Sequence, residues 1–282
     1  MRNLLVNPVL NKEFKLRFRT FKSFLGLGLY LLAVSVLIVG FIFLESQGSP
    51  MGRFRPDQSK DMFMLMSFVQ MGLILFITPG LTAGVISGER EKQTLNILLT
   101  TNQSSASIIL GKLLSSISFL LLMIIASLPI YSIVFLYGGI SPGQVLVNLG
   151  YYMFIILAFG SIGIFFSTII RKTIIAMVST YGVTLFLTAG TAFLFIVSMS
   201  IQQNGVTQYN PAGYLFTMLN PAMILFSFLE PDAFSELSNQ MWGGFAFPLW
   251  AANLIMYSII ILVLNTISIK KLRPNMKVKA KK

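Results

Sequence analysis

The sequence contains no cysteine and no histidine. Thiolate nucleophiles, disulfides, Cys/His zinc sites, His-ligated haem and imidazole acid–base catalysis are therefore excluded. Its 15 methionines offer soft sulfur, with Met62, Met64 and Met66 close together. Residues two apart on a helix point to nearly opposite sides, so these three suit packing better than an ion site. The stretch richest in chemistry is Ser87-Gly-Glu-Arg-Glu-Lys-Gln-Thr-Leu-Asn-Ile-Leu-Leu-Thr-Thr. Gly88 can break a preceding helix, and Glu89 and Glu91 suit the first turn of a new one, where acidic groups complement the helix dipole. Arg90 and Thr94 complete the polar part, and Leu95, Leu98 and Leu99 form an apolar patch at helical spacing. The pattern predicts a short amphipathic helix. A soluble protein docking on it would find charges for steering and leucines to bury. A surface helix folded back on a membrane fits the same pattern.

The elements that must hold this helix are of one kind. Of 282 residues, 55% are hydrophobic and 11% charged, against roughly 25% charged in an average soluble domain. Six apolar, charge-free segments lie at about 24–44, 62–86, 113–137, 145–170, 174–201 and 249–269. Each reaches the roughly 20 residues needed to cross a bilayer as a helix. The expected fold is all-α and integral to a membrane. The first segment is too long and too far from the start for a cleaved signal peptide, and is expected to be retained.

The net charge of +12 and pI of about 10.0 would suggest nucleic acid in a soluble protein. Here the cations mark topology instead, and no nucleic-acid partner is expected. Eighteen Lys and Arg fall in residues 1–23, 87–112, 171–172 and the tail from 270, all on one side of a six-span arrangement. Only Arg53, Arg55 and Lys60 fall on the other. The positive-inside rule places both termini in the cytoplasm of a cell membrane, as in a bacterial plasma membrane. The domains expected are an interfacial helix over 1–23, a six-span domain over 24–269 with a cytoplasmic loop 87–112 and an extracellular segment 202–248, and a basic tail over 270–282.

Three further features have functional readings. In the N-terminal arm, Leu10, Phe14, Phe18 and Phe21 share one helical face opposite Lys12, Lys15, Arg19 and Lys22, the pattern of a helix lying in the interface among lipids. Gly80, Gly84 and Gly88 form a smooth strip where another helix can approach, just after a kink at Thr78-Pro79. Residues 213–229 are apolar but interrupted by Pro221, which predicts two short helices dipping into the outer leaflet.

The run from Ser87, with Ile109-Leu-Gly-Lys112 after it and Asn7-Pro-Val-Leu-Asn-Lys-Glu-Phe14 near the start, resembles the permease subunits of type-2 ATP-binding-cassette transporters. That resemblance implies a dimer of permeases, identical or sister chains, joined to two cytoplasmic ABC ATPases. It makes Glu89–Leu99 the element seated in the ATPase, with the N-terminal elbow helix packed nearby. Relatives of this kind export lipids, glycans, peptides or drugs. The sequence has no Gly-x-x-x-x-Gly-Lys-Ser/Thr phosphate loop, so the chain is not expected to hydrolyse ATP or to bind a cofactor. All thirty Asp, Glu, Lys and Arg lie outside the six apolar segments, which argues against a proton-coupled carrier. The competing reading is a membrane anchor for a soluble complex that transports nothing.

Overall fold

The computed structural model describes residues 21–48, 56–95, 99, 103–136, 140–203, 210–242 and 247–272. Leu10, Phe14, Phe18 and Leu98 lie outside these residues. The described elements are helical, with no strand among them: α1 (Phe21–Gly48), α2 (Pro56–Thr82), α3 (Ser87–Glu91), α4 (Ser105–Leu136), α5 (Pro142–Ile169), α6 (Thr173–Leu185), a π-turn (Phe186–Gly190), α7 (Thr191–Gln203), α8 (Pro211–Leu219), α9 (Pro221–Leu229), α10 (Pro231–Trp242) and α11 (Leu249–Leu272).

Among the described residues, six candidate spans are long and apolar enough to cross a membrane. The second runs through α2 into α3, and the fifth joins α6, the π-turn and α7. The protein is an all-α, multi-pass membrane protein. Its helix starts repeat one local device. Ser141 accepts a hydrogen bond from Gln144 N ahead of Pro142, Asn210 from Gly213 N ahead of Pro211, and Asn220 from Ala222 N and Met223 N ahead of Pro221. The capping side chain satisfies orphan amides, while proline fixes φ where its missing N–H costs nothing.

Pro221 divides the apolar stretch before the last span as the sequence predicts. α8 and α9 meet at a 92° bend. Each has nine residues, about 13 Å of helix, less than half the hydrocarbon thickness.

α5 is the hub, touching α2, α4, α6, α9 and α11. Tyr152, Ile155, Ile156, Phe159 and Ile164 on it are wholly buried. The helix cores of α4 and α5 are 67% buried, against 17% for α1. α1 and the fifth and sixth spans therefore form the perimeter, with much of their apolar surface exposed. Lipid tails give helices no hydrophobic reason to associate, so polar contacts matter more inside. The Tyr152 hydroxyl donates to the Ser67 carbonyl at 2.9 Å, Asn265 donates to Ser161 at 2.9 Å, and Tyr30 bonds Gln70.

Candidate functional site

The candidate residues on α3 lie where α2 ends. Pro79 lies inside that helix, and Thr78 and Thr82 each return a hydroxyl to the carbonyl four residues back, at 2.6 and 2.7 Å. Both features bend helices. The chain then loosens into turns over 83–86 before α3 begins. Such a break exposes amides in a buried place. Ser167 on α5 meets this need: its hydroxyl accepts from Ile86 N at 2.8 Å and Ser87 N at 3.0 Å.

The break also requires close approach. A methyl group on Gly163 of α5 would overlap the Thr82 hydroxyl and lie 2.8 Å from Thr82 Cβ. The strip of three glycines faces α6. An added Cβ would lie 2.9 Å from the Tyr181 hydroxyl at Gly80, 3.2 Å from Met177 and Thr173 at Gly84, and 3.7 Å from Thr173 at Gly88.

Three successive charged side chains on α3 then reach three different helices. Glu89 pairs with Lys112 of α4 at 2.6 Å. Arg90 donates to the Thr168 and Ile170 carbonyls at the end of α5, at 3.0 and 3.4 Å. Glu91 accepts from the Thr173 amide and hydroxyl at the start of α6, both at 2.8 Å. The signs follow helix ends: a cation sits on the orphan carbonyls of one C-terminus and an anion on the free amides of the next N-terminus. Lys112 is only 2% exposed, and α4 extends eight residues further towards the loop than the apolar run suggests. The cation is thus two turns inside its helix, where the Glu89 carboxylate offsets its burial.

Beyond Glu91 the chain reverses. Gln93 has φ of 59°, and the Thr94 amide and hydroxyl both bond the Glu89 carbonyl. Of the residues that the resemblance assigns to the ATPase, Glu89, Arg90 and Leu95 also make contacts within their own chain. Leu95 is 6% exposed, in the main core, and Leu99 packs against that core. The surface left free here is Glu91, Lys92, Gln93 and Thr94 beside Arg171 and Lys172, all exposed. Phe21 is 79% exposed on the first turn of α1.

Ser167 and Gly163 escaped the sequence reading. A serine that caps another helix looks the same in sequence as one that bonds its own. Gly163, with Gly160 three before it, was a legible small-residue pair on α5.

A second concentration of polar contacts surrounds the α8–α9 bend. The interrupted backbone leaves carbonyls without helical partners, and neighbouring side chains supply donors. Asn253 and Tyr257 of α11 donate to the Met218 and Leu219 carbonyls, both at 2.7 Å, and Tyr151 of α5 donates to that of Pro221 at 3.2 Å. Non-helical backbone survives at membrane depth only when satisfied in this way. Asn220 itself donates to the Thr188 carbonyl in the π-turn at 2.8 Å and to the Thr191 hydroxyl at 3.0 Å. The two irregular segments are thereby joined.

A family model described as ABC-2 family transporter protein matches residues 8–270, from before α1 to the last turns of α11. The chain belongs to the ABC-2 transporter family. It is a transmembrane ABC transporter subunit, a permease component without an ATPase of its own. No curated protein matches the chain. Among the described residues of this ABC-2 permease, no group of acidic side chains could hold a metal ion.

Proposed function

We propose that this permease forms half of the substrate pathway of an ATP-driven exporter, and that α3 transmits movement from a cytoplasmic ATPase to the spans. The observation that carries the reading is the triple tether. Glu89 binds Lys112 two turns inside α4, and Arg90 and Glu91 bind the ends of α5 and α6, so displacing α3 displaces three helices together. The ATPase docks on the exposed corner of Glu91–Thr94 with Arg171 and Lys172, while Leu95 anchors α3 from behind. The loop lies on the basic, cytoplasmic side. A second permease, identical or sister, covers part of the apolar perimeter. Packed interfaces of this sort switch between discrete arrangements rather than bending smoothly.

The reading separates docking from transmission, and the two are tested apart. Lys92→Glu with Gln93→Trp should abolish co-purification with an ABC ATPase encoded at the same locus, while membrane insertion persists. Glu89→Gln should keep the ATPase bound but uncouple it. A single cysteine at Ser238, whose maleimide labelling changes with ATP in the parent complex, should then cease to respond. Full ATPase binding by the Lys92/Gln93 variant would overturn the docking corner. An unchanged ATP response in Glu89→Gln would overturn the tether.

A further inference from the structure

At the far end of the molecule from α3, a cavity of about 330 Å³ opens between α8, α9, α10 and the first turn of α11. That volume lies in the range of small-ligand sites. Among the described residues, five aromatic side chains line it: Tyr214, Phe228, Phe234, Phe247 and Trp250. Ser227, Ser235 and Ser238 supply its side-chain hydroxyls beside them. No Asn, Gln, Asp, Glu, Lys or Arg is among its described lining residues.

Charge chooses among the ligands that such a lining accepts. From Gln202 to Pro248 the sequence has no Lys or Arg, and its only charged residues are Glu230, Asp232 and Glu236. Glu230 is matched by Lys60 of α2 at 2.7 Å. Asp232 and Glu236 are exposed and follow directly on the lining residues Pro231 and Ser235. The unpaired charges next to the described lining are therefore acidic, and aromatic faces favour a cation through their quadrupoles. An anion finds no cation among the described lining residues, and Lys60 beside them is already held by Glu230. A sugar would want forked polar side chains, and the Tyr214 hydroxyl already donates to the Phe247 carbonyl at 3.2 Å. An organic cation satisfies both features, with its charge against the rings and its apolar part among them.

We propose that this cavity binds an organic ammonium ion carrying an apolar tail. Trp250 and Phe247 are about half exposed at its mouth, so the ligand enters with its tail still in the membrane interface, where such side chains gather. Binding stands without the permease reading; only the further step, that the bound cation is cargo, rests on it.

The test uses the full-length chain in nanodiscs with Trp242→Phe, which leaves Trp250 as the single reporter of the two tryptophans. Hexyltrimethylammonium should quench Trp250 saturably. Choline, lacking the tail, should bind about tenfold more weakly or worse, and 3,3-dimethyl-1-butanol, its uncharged counterpart, should give no saturable signal. Ser238→Lys places a competing cation at the site and should abolish binding, whereas Ser238→Gln should keep it within a few-fold. Equal binding of choline and its neutral counterpart would overturn the proposal. So would equal effects of Ser238→Lys and Ser238→Gln, or no saturable quenching by hexyltrimethylammonium. ATPase co-purification from the same membranes reads the permease assignment separately, so either can fail alone.

Discussion

At the scale of single residues, the site depends on groups that finish what a broken helix leaves undone. Ser167 accepts two amides released by the loosening of α2. Ser167→Ala keeps the packing but leaves buried donors unmet, a loss of about 2 kcal/mol. Thermal unfolding in detergent should show a clear fall in midpoint, and an unchanged midpoint would mean that Ser167 caps nothing. Gly163 acts by absence. Gly163→Ala drives a methyl group into Thr82, and overpacking of this kind costs about 1–3 kcal/mol. Thr82→Ala in the same chain removes the overlapping hydroxyl and should restore part of the loss. If the two losses merely add, the contact is not the cause. The Glu-Arg-Glu run was legible in the sequence as a cluster. Its partners were not, because Thr168 and Thr173 lie 78 and 82 residues beyond Arg90 and Glu91, a distance that no local pattern spans.

At the scale of elements, the sequence was clearest where one physical rule dominates. Length and apolar content located the six spans, and Pro221 located the bend between α8 and α9. What stayed hidden was what the irregular pieces do for each other. The π-turn at Phe186–Gly190 carries only apolar residues, threonine and glycine, with nothing to mark a departure from α geometry. Its Thr188 carbonyl becomes legible only opposite Asn220. Asn220 does two jobs with two atoms: its oxygen caps α9 and its amide nitrogen holds the π-turn. Asn220→Asp preserves the acceptor and removes the donor. Hydrogen exchange should then quicken over residues 186–191 and stay nearly unchanged over 221–224. Faster exchange confined to 221–224 would show that the residue is only a helix cap. Local opening of this sort belongs to the weakly held parts of a fold, from which moving elements are drawn.

At the scale of the whole molecule, the tethered α3 and the aromatic cavity lie at opposite ends, with α5 running between them. An ATP-driven permease needs those ends on opposite sides of the membrane. The charge pattern argues for this independently: eighteen cations fall with α3 and the tail, three with the far loops. α8 and α9 complicate the count. Taken together as one span they would make seven and place α11's end on the other side. They meet at a 92° bend, and Tyr151, Asn253 and Tyr257 bond the carbonyls that the bend leaves without helical partners. The absence of native cysteine allows a clean test. Single cysteines at Gln93, Glu236 and Lys271, all exposed positions, are treated with a membrane-impermeant maleimide on intact cells. Glu236→Cys should label at once, and Gln93→Cys and Lys271→Cys only after permeabilisation. If Gln93→Cys and Glu236→Cys exchange behaviour, α3 faces away from any cytoplasmic ATPase and the coupling proposal fails. If Lys271→Cys alone labels from outside, the bent pair crosses the membrane and the span count is seven.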